Sequence, residues 1–263
     1  MKIITSAANP LIKDIKSLGQ KKFRDQQQRF YAEGLQVLGM ATDCGWVPEL
    51  LLTTEEGAKH KVAKAALNSV PQDQQYLVTG ALLSRISARD NAAPVLAIYR
   101  QRWQKLDAVQ LGPQDIWVVL EGIKDPGNLG TIIRTADAAG VKGVMLLDET
   151  CDPYSVEAVR ASMGSVFSLQ LVQAKGPAFR QWLGTQKVQS IGTVLQTEVD
   201  FRAVKMKLPL LIVMGNEQSG LSAPLREACS DLVKLPMRGT AESLNLAVCT
   251  GIMLYEANKL LKG

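Results

Sequence analysis

The stretch WVVLEGIKDPGNLGTIIRTADAAGVKGVMLLD, Trp117 to Asp148, decides the fold. An apolar run ends in the tight loop Asp125-Pro126-Gly127-Asn128-Leu129-Gly130, an amphipathic segment carrying Arg134 follows, and a second apolar run, Val141 to Leu147, comes next. Two later stretches, GNEQSGLS (Gly215 to Ser222) and LPMRGTAESLNLAV (Leu235 to Val248), repeat the design of apolar strand, polar glycine-rich loop and helix. Three such loops in one domain indicate a ligand site built from strand ends.

Working outward, apolar runs recur at Ile116–Leu120, Val144–Leu147, Val166–Val172, Val188–Leu195, Leu208–Met214 and Leu232–Leu235, and a last helix is expected from about Ser243 to Leu261. Continuous apolar strands separated by helical patterns predict a parallel sheet covered on both faces. Ligands of such sheets sit beyond the carboxyl ends of the strands, where all three loops would gather. The first hundred residues alternate helices (Asn9–Gln28, Glu55–Ala66, Gly80–Arg85) with short strands (Leu50–Thr53, Tyr76–Val78, Val95–Tyr99), a small α/β domain. The polar segment ending in Leu111-Gly112-Pro113 is the expected linker. The expected divisions are 1–104, with a basic arm over 1–30, a linker over 105–114, and a second domain over 115–263.

The net charge of +5 is concentrated: residues 1–30 carry Lys2, Lys13, Lys16, Lys21, Lys22, Arg24 and Arg29 against Asp14 and Asp25, so the other 233 residues balance to zero. A basic arm on a neutral body suits a phosphate backbone, with Lys13, Lys16, Lys21, Lys22 and Arg24 as candidate phosphate contacts, which become RNA contacts if the resemblance described below holds; an ordinary solvated helix face is the plainer alternative. The four cysteines are far apart and His60 is the single histidine, so neither a disulfide framework nor a metal site is expected. No apolar run approaches the ~20 residues of a membrane span, and the N-terminus lacks a secretory pattern. The expectation is a cytoplasmic protein with no membrane partner.

Within the first loop, Gly127 and Gly130 permit close approach, Asn128 can both donate and accept, and Arg134 lies one turn beyond Gly130. A dinucleotide reading would put Asp148 on a ribose, yet the spacing is not G-x-G-x-x-G. In the second loop Glu217 stands where a phosphate cradle would prefer a lysine, which favours hydroxyls, a ribose or a cation. In the third, Ser243 is a plausible helix cap and Asn245, a weak helix former, is free to face the cleft.

Together Asn128-x-Gly130-x-x-x-Arg134-Thr135-Ala136, Gly215-Asn216-Glu217-x-x-Gly220-Leu221 and Leu235-Pro236-Met237-x-Gly239-x-x-x-Ser243-Leu244-Asn245 resemble the three signature motifs of the SpoU-type RNA 2′-O-ribose methyltransferases, within the SPOUT class, in family order and without departure at the motif positions. The first hundred residues also resemble the family's leading substrate-binding domain, notably at Phe30-Tyr31-Ala32-Glu33-Gly34.

The resemblance implies an α/β catalytic domain with a deep trefoil knot, preceded by a small ribosomal-protein-like RNA-binding domain. It implies S-adenosyl-L-methionine as cofactor, held near Gly215, Leu235, Met237 and Leu244, and methyl transfer to a ribose 2′-hydroxyl. Arg134, Asn128, Glu217, Ser243 and Asn245 would be the catalytic set, with no metal. It further implies a homodimer through the catalytic domains and folded RNA as substrate, large-subunit rRNA ahead of tRNA. An inactive RNA-binding protein and an NAD-binding oxidoreductase are the alternatives from other classes.

Overall fold

The basic first thirty residues are folded rather than extended. In the computed structural model, which describes residues 1–261, β1 (Lys2–Ile4) is followed by α1 (Pro10–Ser17) and α2 (Lys21–Gln27). Asn9 caps α1 by accepting the Leu11 N–H at 2.9 Å, and Pro10 takes the first helical position, where a missing N–H is harmless. The helix expected over Asn9–Gln28 is thus two helices, interrupted at Leu18–Gln20; Ile12, Ile15 and Leu18 remain on the buried side. The chain continues through β2 (Arg29–Glu33), α3 (Leu35–Asp43), β3 (Leu50–Thr53), α4 (Glu55–Lys59), α5 (Lys61–Ser69), β4 (Gln75–Val78), α6 (Gly80–Ser87) and β5 (Val95–Arg100). The helix expected over Glu55–Ala66 breaks at His60, whose backbone is extended. His60 is neither glycine nor proline, so apolar periodicity ran through it. The strands form a sheet ordered β1-β4-β3-β5-β2, with β1, β4 and β3 parallel and β5 antiparallel to both β3 and β2. Three residues are too few for β1 to show alternation, and the sequence reading missed it.

A second sheet holds β6 (Ile116–Glu121), β7 (Gly143–Leu147), β8 (Gln170–Ala174), β9 (Gln189–Thr193), β10 (Leu210–Met214) and β11 (Asp231–Val233). All its pairings are parallel, in the order β11-β9-β10-β6-β7-β8. Its helices are α7 (Pro126–Ala138), α9 (Gly176–Leu183), α10 (Ala223–Ala228) and α11 (Leu246–Asn258), while α8 (Val156–Ala161) lies in the β7–β8 connection. β7 and β10 are buried at every residue, which continuous apolar runs predict. One face packs Trp117, Val119, Met145 and Val213 with Phe179 and Leu183 of α9 and Leu225 of α10. On the other, α11 packs against α7 and β10. Residues 105–114 are not a free linker: Leu106–Ala108 form a short 3-10 turn against α9 and β8, and Val109 is buried in the same apolar cluster.

Residues 1–101 with 152–168 make one compact unit, and residues 102–151 with the chain from Leu169 onward make the other. The expected range 115–263 is therefore interrupted, and its last two residues lie outside those described. The excursion 152–168 is fixed within the first unit by chemistry that its own sequence does not advertise. Tyr154 and Phe167 join Phe30, Trp46 and Tyr99 in an aromatic cluster with ring centroids 4.5–6.3 Å apart. Trp46 Nε1 donates to the Phe167 carbonyl at 2.9 Å, and Arg160 Nε donates to Glu33 at 2.7 Å. Val166 and Phe167, expected as the start of a strand, form a 3-10 turn in which both are buried and the Phe167 ring joins this cluster. No helix among the described residues is long and apolar enough to cross a membrane.

Candidate active site

From β6 the chain steps to β7 on one side, while β10 pairs on the other, so the connections diverge between β6 and β10. Such a divergence opens a crevice at the carboxyl ends of the strands. The loop leaving β6 turns at Gly122, with φ +67°. Asp125 then caps α7, accepting the Asn128 N–H at 2.7 Å, with Pro126 in the first turn. Asp-Pro-Gly-Asn is thus a helix start that leaves the Asn128 side chain free for other partners. The loop leaving β10 closes on itself. Asn216 and Gly220 exchange backbone hydrogen bonds (3.1 and 2.9 Å), and Asn216 Oδ1 accepts from the N–H groups of Gln218 and Ser219. A Cβ on Gly215 would lie 2.2 Å from the Gly220 carbonyl carbon, so only glycine fits there. The third loop ends at Asn245, whose Oδ1 caps α11 by accepting from Ala247 and Val248.

These loops are joined by side chains. Asn245 Nδ2 donates to Asn128 Oδ1 at 2.9 Å, and Asn128 Nδ2 donates to Glu217 Oε1 at 3.3 Å. Glu217 Oε2 accepts from the Lys124 N–H at 3.4 Å. One residue from each motif therefore forms a continuous hydrogen-bonded chain. Beside it lies a cavity of about 380 Å³, walled by Gly215, Leu235, Met237 and Leu244 together with Leu195 and Cys249. Burial pushes the Cys249 thiol up from its ordinary value, keeping it a neutral wall atom.

Asn128, Glu217, Ser243, Asn245 and the four expected cofactor residues all line this cavity. Arg134 does not: it is exposed on α7, outside the lining, with no hydrogen bond or ion pair among the described residues. Ser243 is not the helix cap; Asn245 is, because α11 begins one residue after it, at Leu246. Of the candidate RNA contacts, Lys13, Lys16, Lys21 and Lys22 are exposed, but Arg24 is only 3% exposed. Its Nε donates to Asp152 at 2.7 Å and its Nη1 to the Leu18 carbonyl, so its charge is committed to the fold. Asp148, which a dinucleotide would need, instead accepts the Gly176 N–H at 3.0 Å. Glu121 and Asn216 escaped the sequence reading. The first had a signal, a carboxylate directly after five apolar strand residues; the second lies within the second motif, where nothing local distinguishes it from the neighbouring polar residues. Among the described residues, no group of three or more His, Cys, Asp or Glu side chains could hold a metal ion. The four cysteines are free thiols.

A parallel sheet with an apolar cavity and a polar relay at its switch point defines an α/β ligand-binding unit equipped for chemistry on a polar substrate. Comparison with known proteins makes the class specific. The SpoU rRNA Methylase family matches residues 115–255, and the MRM3-like substrate binding domain matches residues 9–97. This chain belongs to the SpoU rRNA methylase family. It is 31% identical to the 23S rRNA (guanosine(2553)-2′-O)-methyltransferase RlmP of Bacillus subtilis, over 97% of this chain and 98% of that protein. It is 30% identical to a 23S rRNA (uridine(2479)-2′-O)-methyltransferase of Streptomyces viridochromogenes, over 91% of this chain and 86% of that one. Among solved structures, an AdoMet-bound rRNA methyltransferase from Sinorhizobium meliloti superposes with a TM-score of 0.92 at 41% identity, covering 100% of this chain and 99% of that one.

Proposed function

We propose that this chain transfers a methyl group from S-adenosyl-L-methionine to a ribose 2′-hydroxyl of large-subunit ribosomal RNA. The observation that carries the reading is the Asn245–Asn128–Glu217 chain, which joins three sequence motifs along the wall of one apolar cavity. The residues present fit the donor. Leu235, Met237, Leu244 and Leu195 offer apolar contact for an adenine face and a thioether, and backbone groups at Gly215 allow close approach. When bound, S-adenosyl-L-methionine supplies a methyl group activated by its sulfonium.

The chain's own residues must then orient the ribose and stabilise charge on its oxygen. Asn128, Glu217, Ser243 and Asn245 hold the ribose through hydrogen bonds, and fixing the hydroxyl in line is where much of the rate arises. The 2′-hydroxyl proton passes to solvent as the O–C bond forms. Arg134, exposed and uncommitted, grips the neighbouring phosphate and stabilises the developing alkoxide while remaining charged, since a guanidinium does not give up its proton near neutral pH. Turnover by Arg134→Ala is expected to fall about 100-fold or more, with donor affinity unchanged, because Arg134 is outside the cavity lining. Arg134→Lys should retain measurable activity; a lysine variant as dead as alanine would remove the charged-arginine account.

The relatives named above act on 23S rRNA, and the segment matched by the substrate-binding domain carries exposed Lys13, Lys16, Lys21 and Lys22, which support rRNA as partner. Cytoplasmic action goes with that substrate. We extend the reading to a deep trefoil knot in the second unit. Its support is that the chain reaches β11 at the sheet edge and then returns to seat α11 against α7 and β10. A homodimer through this unit is supported by an apolar stripe on α11, where Val248 is 52%, Ile252 38% and Tyr255 55% exposed. The deciding experiment maps 2′-O-methyl sites on large-subunit rRNA from cells with and without the gene. Loss of one site on deletion, restored by the parent and not by Arg134→Ala, supports the proposal; an unchanged map would end it.

A further inference from the structure

We infer that Glu121 is a positioning residue for the cavity, acting through Ser222 on the loop that carries Glu217. This rests on the reading of the cavity as a methyl-donor site. Glu121 is the last residue of β6. Its Oε2 accepts the Ser222 N–H at 2.7 Å, and its Oε1 accepts the Ser222 hydroxyl at 2.6 Å. Both are short, charge-assisted hydrogen bonds, about twice as strong as neutral ones. Ser222 stands at the N-cap of α10, where a serine ordinarily caps its own helix, yet its side chain makes no capping bond. The hydroxyl is turned to the carboxylate of the adjoining strand instead.

The neighbouring residue completes the arrangement, since the Gly122 carbonyl accepts from Asn216 Nδ2 at 2.7 Å. Two consecutive residues at the end of β6 therefore hold both ends of the loop from Asn216 to Ser222. Between those anchors sit Glu217, the last link of the hydrogen-bonded chain, and Gly220 and Leu221, which line the cavity. Releasing the Ser222 end leaves the turn that Asn216 and Gly220 close as a unit held only at Asn216, so that Glu217 and the turn shift together. The cavity wall then loses its register against Leu235 and Leu244. Asn128, inside the first turn of α7, and Asn245, the cap of α11, stay in place.

A purely architectural role for Glu121 would appear as a lower melting midpoint at unchanged donor affinity; a positioning role appears as the reverse. The test measures S-adenosyl-L-methionine binding by calorimetry for the full chain and for Glu121→Ala, Glu121→Gln, Ser222→Ala and the Glu121→Ala/Ser222→Ala double variant, with melting recorded on the ligand-free proteins. Glu121→Ala and Ser222→Ala are each expected to weaken binding about tenfold, the scale of one hydrogen bond to a charged group. The double variant should bind no more weakly than Glu121→Ala, because each change removes the same contact. Glu121→Gln keeps an oxygen for one of the two Ser222 donors and should lose less. Parental affinity in Glu121→Ala, or losses that multiply in the double variant, overturns the inference. Should Glu121→Ala not fold, Ser222→Ala and Glu121→Gln carry the comparison, and parental affinity in Ser222→Ala overturns it equally. A parent that ignores the donor brings down the donor reading itself, whereas a parent that binds beside variants that bind equally well brings down only this inference.

Discussion

Cys229 shows how one side chain can tie pH to folding. Burial pushes its thiol from the ordinary 9.0 up to about 12, and the nearby Glu121 charge pushes the same way. In the unfolded chain the proton leaves near the ordinary value, while in the fold it stays. The stabilisation is therefore complete below about pH 9 and is lost as pH rises from there toward about 12. Tyr31, raised by burial from 10.0 to about 12, acts with the same sign over an overlapping window. Melting midpoints recorded from about pH 8 to 11 should hold to about pH 9 and fall above it, less steeply for Cys229→Ala. An equal slope in parent and variant would mean that the thiol titrates alike in both states. The residue-level lesson of the active site is different. Asn128 was legible as a two-way amide, but its partners, Glu217 and Asn245, lie 89 and 117 residues away and no local pattern pairs them.

At the scale of elements, α11 joins stability to chemistry through one residue. Asn245 uses its oxygen to cap the helix and its nitrogen to hold Asn128. Asparagine and aspartate cap almost equally well, so the two duties can be separated. Asn245→Asp should keep the cap and the melting midpoint but lose the donor to Asn128, and methyl transfer with it. Asn245→Ala should lose both, costing about 1 kcal/mol of stability besides. Denaturant titration alongside an activity assay reads the two effects, and an active aspartate variant would show that the Asn245–Asn128 bond is dispensable. The sequence reading favoured Ser243 as cap because serine suits that place as well as asparagine does. Which of two competent residues caps depends on where the helix is pulled, and α11 is positioned by α7 and β10.

At the scale of the whole molecule, the chain leaves its second unit after Cys151, contributes residues 152–168 to the first, and returns at Leu169. The excursion is held by a buried ion pair, with Arg24 and Asp152 side chains 4% and 7% exposed. Removing one partner strands a charge away from water. Asp152→Ala should therefore destabilise the protein by about 3–5 kcal/mol, much more than an exposed ion pair would. Chemical denaturation checks this, and a loss below about 1 kcal/mol would mean that water reaches Arg24. Assembly gives the second prediction at this scale. If the α11 stripe is a dimer face, Ile252→Glu or Tyr255→Glu should convert the protein to monomer in light scattering and leave its circular dichroism intact. A parent already monomeric at the same concentration would discard the proposed dimer.

By itself the sequence determined the parallel second sheet and the three polar loops at its carboxyl edge, and its resemblance to a known family pointed to eight of the residues that line the cavity. Continuous apolar runs and glycine-bearing loops are local signals, so they survive in one dimension. Tertiary structure alone decided that Arg24 is an interior ion-pair partner rather than a phosphate contact, that residues 152–168 belong with the first unit, and that Glu121 clamps Ser222. Each of those outcomes depends on a partner about 100 or more positions away. A charged or polar side chain carries no mark of which distant group will neutralise it, and the partner exists only once the chain has folded.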